Sequence, residues 1–296
     1  MTRRTLLTMC MGLMLVPFLW GCGPTRPAPQ PAAPVSRWAL FSDTHIPDSK
    51  ASTQGASSLG AFGPHENLQL VVTEVLAAKV DAVAVTGDLA RLQGKPGDYQ
   101  QFRKLLQPLT DKLPVCLGLG NHDDRTQFQT VFKDLPGDHP LAPKQWITVY
   151  EHGSVRMIVR DSLQYVNKVS GLLGQAQRNW LATYLDQSDA RPTLLCLHHP
   201  PGEGDGDLLD TDRLMRIIEP HAQVKAIVYG HSHAYRFSKH EGIHLINLPA
   251  TGYSFGENAP VAWVEACLDA KQGHFRLHVI KGNTEQDDQT TTLTWR

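Results

Sequence analysis

Val115-Cys116-Leu117-Gly118-Leu119-Gly120-Asn121-His122-Asp123 sets a short apolar run directly ahead of three polar side chains, and the fold can be read outward from it. An apolar run this short, closed by a turn signal, has the length of a buried strand rather than a helix. The same arrangement occurs twice on its N-terminal side. Trp38-Ala39-Leu40-Phe41 runs into Ser42-Asp43-Thr44-His45, and Ala82-Val83-Ala84-Val85-Thr86 runs into Gly87-Asp88. Between these runs Leu68, Val71, Val72, Val75 and Leu76 recur at helical spacing over 68–79, with Asn67 placed as a cap, and 99–109 reads as a second helix. Strand, helix, strand, helix, strand predicts an α/β sheet with crossover helices, whose ligands gather at the carboxyl ends of the strands.

The C-terminal half repeats the arrangement. The run 155–159 precedes Arg160-Asp161, 193–197 precedes His198-His199-Pro200, and 226–229 precedes Gly230-His231-Ser232-His233. Further strands are expected at 245–248, 261–268 and 275–280. Residues 47–64, rich in Ser, Gly and Ala, read as a loop, and the acidic stretch 203–212 reads as another. Both are placed to rim a site. The polar, threonine-rich residues 283–296 read as a loosely ordered tail, which puts the folded domain at 36–282. No internal repeat or second domain is visible.

The chain of 296 residues is 41% hydrophobic with a formal net charge of -1, the composition of an ordinary globular protein. Without clustered Lys and Arg, no nucleic-acid-binding surface is indicated. Residues 1–22 read as an export signal. Arg3 and Arg4 precede an apolar run that ends in Leu19-Trp20-Gly21-Cys22, which resembles a bacterial lipoprotein box with Cys22 as the lipidated residue. Arg3-Arg4 also fits a twin-arginine signal, so both export routes stay open. Residues 23–35 are Pro-rich and read as an extended tether. The expectation is an exported cell-envelope lipoprotein, held to a membrane through the lipid on Cys22. Cys116 and Cys196 lie in apolar runs and read as small buried thiols, and Cys267 reads likewise.

Five strand ends thus present Asp-Thr-His at 43–45, Gly-Asp at 87–88, Gly-Asn-His-Asp at 120–123, His-His-Pro at 198–200 and Gly-His-Ser-His at 230–233. In this order they resemble the calcineurin-like metallophosphoesterases, over about 41–233. That resemblance implies an α/β fold of two packed mixed β-sheets flanked by helices, an α/β/β/α sandwich. It also implies two divalent or trivalent metal ions. Asp43, His45 and His233 would hold the first and Asn121, His198 and His231 the second, with Asp88 bridging. Carboxylate oxygen and imidazole nitrogen suit Mn, Fe or Zn without selecting among them. The expected reaction is hydrolysis of a phosphomonoester or phosphodiester by a hydroxide generated between the metals. The resemblance makes His122 the proton donor to the leaving group, with Asp123 orienting its ring. Arg125 is a candidate contact for the substrate phosphate.

Gly-Asn-His-Asp-Asp-Arg, with His-His-Pro-Pro at 198–201, most resembles the class III cyclic-nucleotide phosphodiesterases. The partner expected is a small phosphate ester such as a nucleotide. The export signal argues against a cytoplasmic second messenger. Two other classes remain open: an exported binding or scaffold protein of the same fold without turnover, and a mononuclear zinc hydrolase. The second would need a His-Glu-x-x-His motif carried on a helix for support. Oligomeric state leaves no signal.

Overall fold

The computed structural model describes residues 35–49, 63–135, 145–256 and 259–296. The segment read as an export signal, Cys22, nearly all of the segment read as a tether and most of the 47–64 loop lie outside the described residues. Among the described residues, no helix is long and apolar enough to cross a membrane.

Twelve described strands form two six-stranded sheets. In the first, β1 (Ser36–Phe41), β2 (Ala82–Val85) and β3 (Val115–Leu117) run parallel. The second contains β4 (Thr148–His152), β5 (Val155–Val159), β6 (Thr193–Cys196), β7 (Val224–Tyr229), β8 (Arg236–His240) and β9 (Ile243–Asn247). Its order is β4-β5-β6-β7-β9-β8, with β5, β6, β7 and β9 parallel. The chain then returns to the first sheet as β10 (Val261–Leu268), β11 (Gln272–Lys281) and β12 (Thr290–Thr294), giving the order β12-β11-β10-β1-β2-β3.

Strand alternation builds the layers, because successive side chains leave a strand on opposite faces. From β1, Trp38 and Leu40 join Ala82, Ala84, Met157, Leu194 and Val228 in a core between the sheets. Ala39 and Phe41 face the other way, into a core with Val71 and Val75 of α1 (Pro64–Ala78), Phe102 of α2 (Pro96–Thr110) and Phe128 of α3 (Arg125–Val131). The second sheet repeats this: Leu195 and Ile227 meet Leu181 of α4 (Gly174–Gln187) and Leu214 of α5 (Thr211–Ile218). Helices, sheet, sheet, helices is the expected sandwich. Cys116 and Cys196 are buried free thiols and Cys267 is a half-buried one, and burial pushes the Cys116 thiol up to about 12.

Two sequence readings are corrected. Helix α1 starts at Pro64, a turn before the expected cap, with proline's fixed φ at the first helical position. Asn67 lies inside the helix, buried, and donates from Nδ2 to the Gly252 carbonyl at 2.8 Å. The C-terminal residues are not a loose tail. β12 pairs antiparallel with β11, and Trp295, nearly buried, donates to the Asp269 carbonyl at 2.9 Å. The Arg296 guanidinium donates to the carbonyls of Ile218, Glu219, His221, Val224 and Glu241. It thereby caps the end of α5, where carbonyls have no partner within the helix. Arg296→Ala is expected to lower the unfolding free energy by about 2 kcal/mol in urea titration; an unchanged midpoint would mean that the clamp contributes nothing.

Candidate metal centre

Every residue of the expected metal set follows the carboxyl end of a parallel strand. Asp43 and His45 follow β1, Asp88 follows β2 and Asn121 follows β3; His198 follows β6, and His231 and His233 follow β7. The structure brings the side chains of six of them, Asp43, His45, Asp88, His198, His231 and His233, into three groups, each compact enough to hold an ion: Asp43 with His45 and His233; Asp88 with His198 and His231; and Asp88 with His45 and His122. Asp88 belongs to two of these. Five of the seven, Asp43, His45, Asp88, His231 and His233, have positive φ between 46° and 68°. Such backbone strain in non-glycine residues costs about 1–3 kcal/mol each and persists where the surroundings fix a functional geometry.

Each carboxylate has one oxygen tied to the backbone and one turned to the cluster. Asp43 Oδ2 accepts from the His231 amide at 3.0 Å, while its buried Oδ1 has no hydrogen-bond partner. Asp43 Oδ1 lies 3.3 Å from His233 Nε2. Asp88 Oδ1 accepts from the His122 amide at 2.8 Å, and Oδ2 lies 3.4 Å from His198 Nε2 and 3.7 Å from His45 Nε2. The buried Asn121 Oδ1 and both His198 ring nitrogens also lack partners. A buried polar atom left unpaired costs about 1–3 kcal/mol.

The tautomers sharpen this. His45 Nδ1 sits 3.4 Å from the Arg91 carbonyl and His233 Nδ1 sits 2.9 Å from the Tyr253 carbonyl. A carbonyl only accepts, so each Nδ1 carries the hydrogen and each Nε2 presents a lone pair. Those two Nε2 atoms face each other at 3.1 Å. Burial pushes His45 down to about 4, with Asp88 opposing, so it is neutral at pH 7. Two opposed lone pairs beside an unpaired carboxylate oxygen fit a cation. Metal-binding histidines are commonly fixed in this way, by a carbonyl on the remote nitrogen.

With that donor geometry established, comparison with known proteins places the chain. The sequence profile of the calcineurin-like phosphoesterases matches residues 36–235. The chain belongs to the calcineurin-like phosphoesterase family. It is 32% identical over 262 residues to a 3',5'-cyclic adenosine monophosphate phosphodiesterase of Vibrio vulnificus, covering 86% of this chain and 88% of that one. It is 27% identical over 215 residues to a glycerophosphodiester phosphodiesterase of Enterobacter lignolyticus, covering 70% and 76%. A dimetal phosphatase from Danio rerio shares the fold at TM-score 0.67 with 14% identity, covering 89% of this chain and all of that one. The family implies divalent metal ions and makes this calcineurin-like phosphoesterase a metal-dependent ester hydrolase.

Two residues do other work than the sequence implied. Asp123 does not meet the His122 ring. Its carboxylate accepts from the amides of Leu89, Ala90 and Gly120 and from the Tyr99 hydroxyl, so it laces the loops after β2 and β3 together. Burial, aided by Asp88, raises it to about 7 against those donors. His122 Nδ1 instead contacts the Leu92 carbonyl at 3.1 Å and Asn167 Oδ1 at 2.9 Å. Arg125 is already engaged, its fork on Asp161 at 2.5 and 3.0 Å and on the Leu163 carbonyl. A guanidinium so committed has little left for a substrate phosphate.

His199 is fully buried with Nδ1 2.8 Å from Ser162 Oγ. The acidic 203–212 loop does approach the site. A side-chain carbon at Gly206 would lie 3.1 Å from His231 Nε2. Asn167 and Leu92 escaped the sequence reading because neither belongs to a spaced motif.

His198 supplies a test. Without metal, burial disfavours its charge, but Asp88 and Asp43 outweigh burial and raise it to about 9. It therefore holds a proton at pH 7 that a cation must displace, whereas His45 and His231, both lowered to about 4, hold none. Metal uptake at pH 7 is expected to release about one proton, with apparent affinity climbing with pH until His198 deprotonates unaided near pH 9. Calorimetric heats independent of buffer ionisation enthalpy would contradict this.

Proposed function

We propose that this protein is a dinuclear phosphodiesterase acting outside the cytoplasm. The observation that carries the reading is the facing pair of His45 and His233 lone pairs above unpaired carboxylate oxygen. Asp43, His45 and His233 would hold one cation, and Asn121, His198 and His231 would hold the other. Asp88 would serve both, since its inner oxygen lies near His45 on one side and His198 on the other. When bound, the cations supply Lewis acidity that neutralises phosphoryl charge and lowers the pKa of water.

The protein's own groups do the rest. His122 presents Nε2 to the site because its Nδ1 is held by the Leu92 carbonyl, an obligate acceptor. From there, when the ring carries a second proton on Nε2, it hands that proton to the departing alkoxide oxygen and is left as the neutral Nδ1–H imidazole. Asn167 steadies the ring, itself held by its amide donating to the Asn121 carbonyl at 2.7 Å. Asp123 keeps the Gly120 turn closed, so that the Asn121 and His122 side chains face the pocket.

A diester is favoured because the relatives are named cyclic-nucleotide and glycerophosphodiester phosphodiesterases. The signal-like residues 1–22 and Cys22 support export and lipid anchoring, which puts extracellular or periplasmic phosphate esters within reach.

Purified protein from residue 36 onward, with added Mn²⁺, is expected to hydrolyse bis(p-nitrophenyl) phosphate. Asp88→Ala should abolish turnover and reduce bound metal, whereas His122→Ala should keep its metal and lose about 10²–10⁴-fold in kcat. Absence of turnover in the metal-loaded wild type would favour the scaffold reading instead. Asn167→Gly, which tolerates the positive φ at that position, should lower kcat about tenfold at unchanged metal content. Asn167→Asp, which keeps the acceptor, should restore most of it. Equal rates in the glycine and aspartate variants would remove Asn167 from its positioning role.

A further inference from the structure

The metal residues are continued on one side by a row of rings that ends in solvent. Tyr253 lies 4.8 Å from His45 and 4.9 Å from His233, centroid to centroid. Phe255 lies nearly flat on His233, with centroids 4.2 Å apart and planes 22° from parallel. Tyr253 also meets Phe255 edge-on at 5.6 Å and 82°. Along this row burial falls away. His233 is 3% exposed, whereas Phe255 is 74% exposed. One face of the Phe255 ring is covered by His233 and Tyr253 meets it edge-on, while most of the ring is left bare.

A large apolar ring held in place and left this exposed is not explained by packing. It buries too little area to stabilise the fold much, and it lies on a histidine of the candidate metal centre rather than alone on the surface. Tyr253 differs in kind. It is half-buried against His45 and His233 and props Phe255 from the edge. Flat surfaces of this sort take flat partners. Offset stacking on an aromatic face rewards any heteroaromatic ring without reading its edge, which is how proteins hold nucleobases without base specificity.

We infer that Phe255 is the residue that selects the organic part of the substrate, by stacking a planar ring such as a nucleobase on its open face while the phosphate sits at the metal residues. The inference depends on the dinuclear reading above only for where the phosphate is held. It separates the substrate class from glycerol-type esters, which carry no flat ring and gain nothing from Phe255. Asp43 Oδ1 lies 3.3 Å from His233 Nε2, and the His233 ring lies 4.2 Å from the Phe255 ring, so Phe255 adjoins the metal residues directly.

The test is a binding comparison that does not depend on turnover. Adenosine 5′-phosphate and ribose 5-phosphate, which share phosphate and sugar and differ by the base, are titrated calorimetrically into protein of equal, verified metal content. The wild type is expected to prefer the adenosine compound about tenfold, Phe255→Leu to bring that ratio close to one, and Phe255→Trp to restore it. Leucine at so exposed a position keeps the apolar bulk and leaves the fold intact. A wild-type ratio near one, or the same preference in Phe255→Leu as in wild type, would overturn the inference. Hydrolysis of bis(p-nitrophenyl) phosphate by the same wild-type sample reports separately on the phosphodiesterase reading, so the two can fail independently.

Discussion

The arrangement depends on one concentration of like electrostatics. Where the carboxyl ends of strands from the two sheets meet, the chain buries two carboxylates and sets two imidazole Nε2 atoms against each other at 3.1 Å. Such a cluster is unfavourable alone, since burial disfavours the carboxylate charge and the facing nitrogens repel. In the metal-free protein part of the tension is relieved by a proton on His198, which Asp88 and Asp43 stabilise. A cation relieves all of it.

The surrounding fold is shaped by that requirement. Parallel strands of two sheets end at the same place, so loops after β1, β2, β3, β6 and β7 all enter one pocket. Close approach of those loops leaves no room for side chains between them. A Cβ at Gly120 would fall against the Asp88 carboxylate and amide, and one at Gly230 would meet Ser42 and the Asp43 carboxylate. The strained backbone at five of the metal residues has the same origin. The apolar layers that Trp38, Phe41 and their neighbours build on either side of each sheet supply the stability that this strain draws down.

What could be read from sequence follows from what is local. The strand ends were legible because a buried strand is a short apolar run and its last residues are polar only for a reason. The seven candidate metal residues were picked out by their order along the chain, and six of them lie in compact groups in the structure. Elements with a mixed surface were not legible. β8 is an exposed edge strand, α3 has only seven residues, and β12 is threonine-rich, a composition shared by strands and loose tails. Side-chain partnerships were legible least of all. Asp123 stands next to His122 in the chain but turns to Leu89, Ala90 and Tyr99, while Asn167, 45 positions away, is the residue that touches the imidazole. Adjacent residues on a tight turn diverge, so neighbourhood in sequence says little about contact. Arg125 illustrates the same limit, because its partner Asp161 comes from the other sheet.

The most direct measurement of the central claim is metal stoichiometry. Protein from residue 36 onward is saturated with Mn²⁺ or Zn²⁺, freed of excess by gel filtration, and its metal and protein contents are measured by elemental analysis. A site built from these seven side chains predicts two ions per chain. One ion per chain would leave half of the cluster unexplained, and none would contradict the account outright.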